Sequence, residues 1–358
     1  MTARAFAILL AAALAACAGP GGRALYYGVE DVPEAQRPIW PAAPETPRYL
    51  YAGQLVGEQN FRASEPAPGL QRVLAAIAGI VAGERAPVVL QRPQAGVVDD
   101  AGRVYVTDAS RQAVFVFDAR AGELAVWDRA DGLTGFVAPV GVALGPAGEL
   151  LVADAELGIV ARLDARGATL PPFGRGVLKR PTGLAYDPIG GRIYVADTYA
   201  HDVKVFDADG RLLATLGRRG SGEGEFNYPT HLAFARGELY VTDTLNSRIE
   251  VFRTDGTGLV RTFGARGLYV GNLVRPKGVA VDSEGNVYVV ESYHDHLLVF
   301  DRNGAFLMAI GGVGQDAGRF YLPAGVWVDA KNRVFVADMF NGRVAVFQFL
   351  GGEVDSER

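Results

Sequence analysis

The stretch that decides the fold of this 358-residue chain is residues 311–347, GGVGQDAGRFYLPAGVWVDAKNRVFVADMFNGRVAVF. It contains three short runs of β-branched and aromatic residues, at 326–328, 334–336 and 344–347. Residues that favour turns, mainly Asp, Asn and Gly, separate the runs. Short apolar runs bounded by turns predict antiparallel β-strands.

The same pattern occurs six times along the chain. A proline precedes the first strand of each unit, and these prolines are Pro93, Pro139, Pro181, Pro229, Pro276 and Pro323. An acid ends each second strand, and these acids are Asp108, Asp154, Asp197, Asp243, Glu291 and Asp338. The spacing of the prolines is 42 to 48 residues. A period in the forties with four short strands per unit predicts a β-propeller with six blades.

The sixth unit has no outer strand of its own before residues 351–358, which we interpret as a C-terminal tail. Residues 49–56 have the pattern of the outer strand at 212–216 and of the loop that follows it. We therefore predict that this N-terminal strand pairs beside residues 344–350 and completes the last blade. Such a closure removes two open strand edges, which are sites of aggregation.

The pattern of a Gly-rich loop, Pro-x-Gly, Tyr/Phe-Val-Ala-Asp, Asn-x-Arg and Val-x-Val-Phe, in this order, resembles the NHL repeat, and the units match it to different degrees. The chain resembles bacterial NHL-repeat lipoproteins over residues 48–350. Units four and six match best, through residues 246–248 and 341–343, whereas unit two has Ala-Glu-Leu-Gly-Ile at 155–159. The resemblance implies an all-β fold, a six-bladed β-propeller of NHL type, but it does not imply one activity.

The N-terminus has the composition of an export signal. Residues 1–16 carry Arg4 before an apolar run that is too short for a permanent membrane span. The run ends in Leu-Ala-Ala-Cys, which resembles a bacterial lipobox, and Cys17 is the only cysteine. We therefore predict lipidation of Cys17, with an ordinary signal peptide as the alternative. By the same resemblance, Ala18 favours an outer-membrane anchor in the cell envelope, without a transmembrane span after processing.

Residues 17–47 are rich in proline, and we interpret them as a stiff tether. About 30 extended residues reach roughly 100 Å, so the propeller need not touch the membrane.

A second interruption of the repeat lies at residues 65–86. Its apolar residues recur at helical spacing, which predicts a short helical insert. We expect this insert to pack as a cap on the propeller. A plug and a docking element are the alternatives.

If each first strand runs inward from its proline, the loops before it and after the second strand share one face, the top face. This face carries all four histidines: His201, His231, His294 and His296. Imidazoles bind zinc and iron, so a metal ion is a candidate cofactor, and solvated turn histidines are the alternative. His231 occupies a position where the other units have Gly or Ala. It either fills a gap or faces a ligand in the channel.

Cations are also placed around the expected channel mouth. Arg92, Arg180 and Arg275 precede the prolines of units one, three and five, and Lys277 lies beside them. A cationic mouth attracts small anions, unless the arginines pair with neighbouring acids. The six repeated acids, in contrast, predict capping of turn N–H groups and not a catalytic ring. We predict that the repeated aromatic residues of the second strands are buried in the core of the blades.

A row of large apolar residues is expected in the turns after the second strands of units three to six. We call these residues the apolar arc: Tyr199, Leu245, Tyr293 and Phe340. Units one and two have Ser110 and Glu156 at the same position. If the arc is exposed, it suits a protein partner; if it is folded between blades, it is packing.

Two classes of function follow. The formal net charge of −5, or −6 after removal of Arg4, argues against nucleic acid as a partner. The first class is a lipid-anchored envelope binding or scaffold module that presents the top face to a protein or to a small anion. The alternative, implied by other six-bladed propellers, is a metal-dependent lyase or a lactonase with its site near His231. Gly-x-Ser-x-Gly is absent, and we identify no inward partner for His231. We expect binding and assign no catalytic residue.

The lipidation hypothesis makes a direct prediction. Mass spectrometry of the mature chain from its native envelope should find a modified Cys17 as the first residue. Cys17→Ser should leave the precursor unprocessed or release the protein from membranes. Unchanged membrane association of this variant would mean that another anchor holds the protein.

Overall fold

A computed structural model describes residues 22–63, 85–255 and 258–351. These residues form six antiparallel blades around a central channel. Blade one consists of Pro93–Val98, Val104–Asp108, Ala113–Asp118 and Glu123–Trp127. Blade two consists of Pro139–Leu144, Leu150–Asp154, Ile159–Leu163 and Thr169–Phe173. Blade three consists of Pro181–Asp187, Arg192–Asp197, Asp202–Phe206 and Leu212–Leu216.

The remaining blades follow the same order. Blade four consists of Pro229–Ala235, Glu238–Asp243, Arg248–Arg253 and Gly258–Phe263. Blade five consists of Pro276–Val281, Val287–Glu291, His296–Phe300 and Phe306–Gly311. Blade six has Val326–Val328, Arg333–Asp338 and Arg343–Phe349 from the C-terminal part of the chain. Short 3₁₀ turns lie at Glu34–Gln36, Glu58–Asn60, Thr244–Asn246 and Met339–Asn341.

The predicted closure of the ring is confirmed. The N-terminal strand Tyr49–Leu55 pairs antiparallel with Arg343–Phe349, from Phe349 opposite Tyr49 to Val344 opposite Leu55. The last blade is therefore built from an N-terminal strand and three C-terminal strands. Without this pairing, both strands would have an open edge.

The prediction of a tether over residues 17–47 is wrong for residues 22–47, which pack on the propeller. Ile39–Trp40 adds a fifth strand to blade six, and the Trp40 ring lies edge-on to Phe347 at 5.4 Å. Arg23–Leu25 pairs with Phe61–Ala63, and the carbonyl group of Arg23 lies against Gly122 in blade one. The prolines interrupt any periodic pattern, so the sequence gives no sign of this structure. The apolar residues between the prolines pack against the outer flank of the ring.

Three sequence predictions lie wholly or mainly outside the described residues. They are the lipidation of Cys17, the helical insert at 65–86 except for residues 85 and 86, and all of the C-terminal tail except Gly351. In the described part of the chain, no helix has the length and apolar character needed to cross a membrane.

The hydrophobic core is divided into six wedges, each between two neighbouring blades. The aromatic residues of the second strands are buried in these wedges, as predicted: Tyr105, Tyr194, Tyr240, Tyr288 and Phe335. Because every wedge contains side chains from two blades, the core becomes complete only when the ring closes.

The innermost strands approach each other so closely that glycine is required. A methyl group on Gly325 would overlap the Gln94 carbonyl of blade one, and one on Gly141 would overlap the Thr182 carbonyl of blade three. These glycines set the diameter of the ring, because backbone meets backbone without a side chain between them.

We expect Gly325→Ala to destabilise the protein by about 1–3 kcal/mol, since the methyl group forces blades six and one apart. Chemical denaturation would measure the change in the free energy of unfolding. Gly135→Ala is the matched control, because the nearest atom to its added Cβ would be Asp128 O at 3.4 Å. Equal stability of the two variants would show that blades six and one accommodate a side chain at this contact.

Candidate functional site

The repeated acids hold the top face together, and their predicted capping of N–H groups in the following turn is confirmed in blades one, two and five. The first and second strands place them there, because Pro93 pairs with Asp108 and the equivalent pairs recur in the next four blades. Asp108 is fully buried and accepts bonds from the N–H groups of Gln91, Arg92, Ser110 and Arg111 at 2.6–3.0 Å. The acid thus fixes the segment before the first strand and the turn after the second.

In blades four and six, the Asn-x-Arg motif fixes a further loop. Asp243 accepts bonds from Asn246 Nδ2 at 2.7 Å and from Arg248 Nε at 2.9 Å. Arg248 also donates to the carbonyl groups of Ser221, Gly222 and Glu225. Asn341 and Arg343 form the equivalent contacts with the loop at 314–319. These repeat residues are therefore structural, and the functional candidates are the side chains that they leave exposed.

The apolar arc lies on the surface of the top face. Its exposed fractions are 54% for Tyr199, 50% for Leu245, 58% for Tyr293 and 45% for Phe340. The packing alternative would have required these side chains to be buried between blades. Each blade positions its residue through the same turn, so the four side chains follow one rim of the propeller.

Cations accompany the arc, but they do not form a free ring. The Arg92 guanidinium lies 4.9 Å from the centre of the Phe340 ring, and the Arg180 guanidinium lies 4.9 Å from that of Tyr199. Arg180 also forms an ion pair with Glu156 in blade two, so its charge is compensated. Arg275 is exposed at the start of blade five. Arginine on an aromatic face is a common feature of protein interfaces.

Sequence reasoning missed an exposed apolar loop at residues 268–270, between blades four and five. Leu268, Tyr269 and Val270 are 82%, 84% and 63% exposed. The equivalent loops of the neighbouring blades have Ser-Gly-Glu at 221–223 and Gln-Asp-Ala at 315–317. Aligning the three loops on their glycines would have revealed the difference. The end of the loop is tied to the blade-five turn, where Ser292 N donates to Arg275 O at 3.2 Å.

The channel encloses a cavity of about 430 Å³. Its wall consists of the first strands of all six blades, and most of the lining side chains are Gly, Ala, Val or Leu. Among the lining residues, His231 and Tyr186 are the two with titratable side chains. The structure thus places His231 in the channel wall.

His231 is neutral at physiological pH. Burial lowers the pKa of its imidazole to about 3, and the positive charge of Lys277 contributes in the same direction. Nδ1 lies 3.0 Å from Thr230 Oγ1. The residue retains some accessible surface, but its Nε2 atom is shielded from solvent and has no hydrogen-bond partner in the described part of the chain.

The other histidines lie apart from this position. His201 is buried, and its Nδ1 accepts a bond from Tyr228 N at 3.2 Å. His294 lies edge-on to Tyr293 at 5.0 Å, and burial lowers the pKa of His296. Across residues 22–63, 85–255 and 258–351, no group of three or more His, Cys, Asp or Glu side chains converges as a set of metal ligands. The structure therefore does not bring the four histidines together as one site.

Comparison with known proteins places this geometry among propellers. The family model DUF5128, described as a six-bladed β-propeller, matches residues 187–262 and 272–358, somewhat less than half of the chain. Protein brain tumor of Drosophila melanogaster is 33% identical over 139 residues, which are 38% of this chain and 13% of that protein. The human E3 ubiquitin-protein ligase NHLRC1 is 28% identical over 129 residues, 36% of this chain and 31% of the ligase.

The chain thus spans less than a third of the length of these two relatives. Among solved structures, a streptogramin B lyase superposes with a TM-score of 0.55 at 12% identity, over 73% of this chain and 94% of the lyase. This similarity concerns the fold alone. Together with the six repeats and the closed ring of blades, these matches support one conclusion: the protein is a six-bladed β-propeller whose repeats are similar to those of NHL-repeat proteins.

Proposed function

We propose that the protein is a binding module whose working surface is the top face of blades three to six. The observation that carries the proposal is the exposure of the apolar arc, since each of its four side chains keeps about half of its surface in contact with water. Exposed aromatic residues that are grouped on one face are the usual anchors of protein interfaces.

The loop at 268–270 extends the same surface. Its three apolar side chains are more exposed than any member of the arc. The equivalent loops of the neighbouring blades have small and polar residues at these positions. The Leu-Tyr-Val sequence is therefore not needed for the fold, and a partner that covers it would bury apolar area that otherwise faces water.

The partner that fits this surface is a protein with apolar side chains and some acidic ones. Arg92 and Arg275 are exposed beside the arc and would pair with carboxylates at the rim of an interface. We place the module in the cell envelope, attached to the outer membrane through Cys17, on the strength of the lipobox resemblance.

An enzyme remains the alternative, with its site at the channel near His231. The neutral imidazole with an unpartnered Nε2 favours it, because a neutral imidazole nitrogen is a common metal ligand. Metal analysis of the purified protein distinguishes the two functions. Stoichiometric zinc or iron that is lost in His231→Ala would replace the binding proposal with the enzyme.

The binding proposal is tested by removing three anchors at once: Tyr199→Ala, Tyr293→Ala and Phe340→Ala. A photo-crosslinking residue at position 245, within the arc, first identifies the partner in the native envelope. We expect the triple variant to weaken binding of that partner by at least two orders of magnitude, because each interface anchor contributes on the order of 2 kcal/mol.

The matched control replaces three exposed apolar residues on the outer strands: Leu212→Ala, Leu213→Ala and Leu307→Ala. This control should bind the partner as the wild type does, and both triple variants should keep the melting temperature within a few degrees. If the control weakens binding equally, or if the arc variant unfolds, the arc is not the working surface.

A further inference from the structure

The hydrogen bonds beside His231 fix the position of its ring proton. Thr244 Oγ1 donates its single proton to Pro276 O at 2.9 Å. In its 2.7 Å contact with Thr230 Oγ1, Thr244 must therefore accept, and Thr230 donates. Thr230 Oγ1 has no second proton for His231 Nδ1, 3.0 Å away, so that Nδ1 is the donor. Nε2 of the neutral ring then carries a lone pair.

This lone pair has no donor. Nε2 is buried and unpartnered within the described residues. A buried acceptor left without a hydrogen bond is unfavourable, since it has lost water and gained nothing in return. The channel beside His231 therefore favours a group that presents an O–H or N–H.

A positive charge without a counter-ion lies close by. Lys277 is half-buried and forms no ion pair within residues 22–63, 85–255 and 258–351. Burial lowers the pKa of its ammonium group, and the charges of Arg275 and Arg92 lower it further. No neighbouring carboxylate raises this pKa. Three cations that repel one another at a channel mouth attract an anion.

The channel wall has a second unpartnered polar atom, which is a donor that needs an acceptor. Trp327 Nε1, on the blade-six side, is buried without an acceptor in the described part of the chain. Hydroxyl groups both donate and accept, so they satisfy both kinds of atom. Water would do the same, but water does not neutralise Lys277. The cavity of about 430 Å³, which His231 lines and Lys277 does not, is within the range of small-molecule sites.

We propose that the channel mouth binds a small hydroxycarboxylate, with its carboxylate on Lys277 and its hydroxyl group donating to His231 Nε2. This site goes beyond the proposed protein-binding surface and does not rest on it. The residues that build it occur at one blade interface, between blades four and five. The equivalent of His231 is Gly or Ala in every other blade, so the ring offers one such position.

The test compares L-lactate with propionate by isothermal titration calorimetry at pH 7. The two anions have the same charge and similar size, and they differ by the hydroxyl group. We expect lactate to bind at least tenfold more tightly than propionate. Equal affinities, or binding of neither anion, would overturn the proposal. Equal affinities would indicate a plain carboxylate site, such as one for an acidic side chain of a partner.

Variants assign the two contacts separately. His231→Ala should reduce the affinity for lactate to that for propionate and leave propionate unchanged. Lys277→Met should reduce the affinity for both anions at least tenfold. Lys331→Met is the matched control, because Lys331 is exposed in a turn at the opposite face, and it should change neither affinity. A preference for lactate that survives in His231→Ala would contradict the assigned hydrogen bond.

Nitrogen NMR of the histidine rings tests the site in the wild-type protein. A variant is needed only to assign the His231 signal. The His231 ring should show a protonated Nδ1 and an unprotonated Nε2, and it should not titrate between pH 8 and pH 5, since its pKa is about 3. Lactate should shift the Nε2 signal, and propionate should not. A protonated Nε2 in the free protein would show that the lone pair is not there, and titration near pH 6.5 would show that Nε2 is not buried.

Discussion

Each blade has a buried acid at the end of its second strand, and the top face depends on the hydrogen bonds that this acid accepts. In blade one, four backbone N–H groups converge on Asp108 from the segment before the first strand and from the turn after the second. Buried N–H groups require partners, so the acid is indispensable to the turn. The side chains on either side of these N–H groups are, in contrast, free to vary. Arg92 and the residues of the apolar arc occupy such variable positions on a fixed frame.

The repeat explains why much of the fold and part of the site could be predicted. Alternating strands, the spacing of the prolines and the missing sixth outer strand lead to six blades and to the pairing of Tyr49–Leu55 with Arg343–Phe349. The apolar arc could be identified because its four residues share one position in the repeat. Their exposure could not be deduced from the sequence, since an aromatic residue in a turn packs between blades as readily as it faces water.

Tertiary features could not be predicted, and each has a physical reason. Residues 22–47 contain prolines that interrupt any regular period, although Trp40 packs against the flank of blade six. The sequence allows Arg180 to pair with a neighbouring acid, but the identity of that acid, Glu156 of blade two, depends on side-chain conformations. The tautomer of His231 follows from a chain of three hydroxyl and carbonyl contacts that only coordinates reveal. These are tertiary relations, and no local pattern encodes them.

The described N-terminal segment begins at the lower rim of the propeller. Arg23 lies against Gly122, in the turn between the third and outer strands of blade one, at the edge opposite the top face. Four residues separate Gly22 from Cys17, so even a fully extended link spans only about 17 Å. If Cys17 carries the proposed lipid, the bilayer holds the propeller by its lower rim, within about 2 nm of the lipid head groups. The apolar arc then faces away from that membrane, and a partner reaches it from the aqueous side of the envelope.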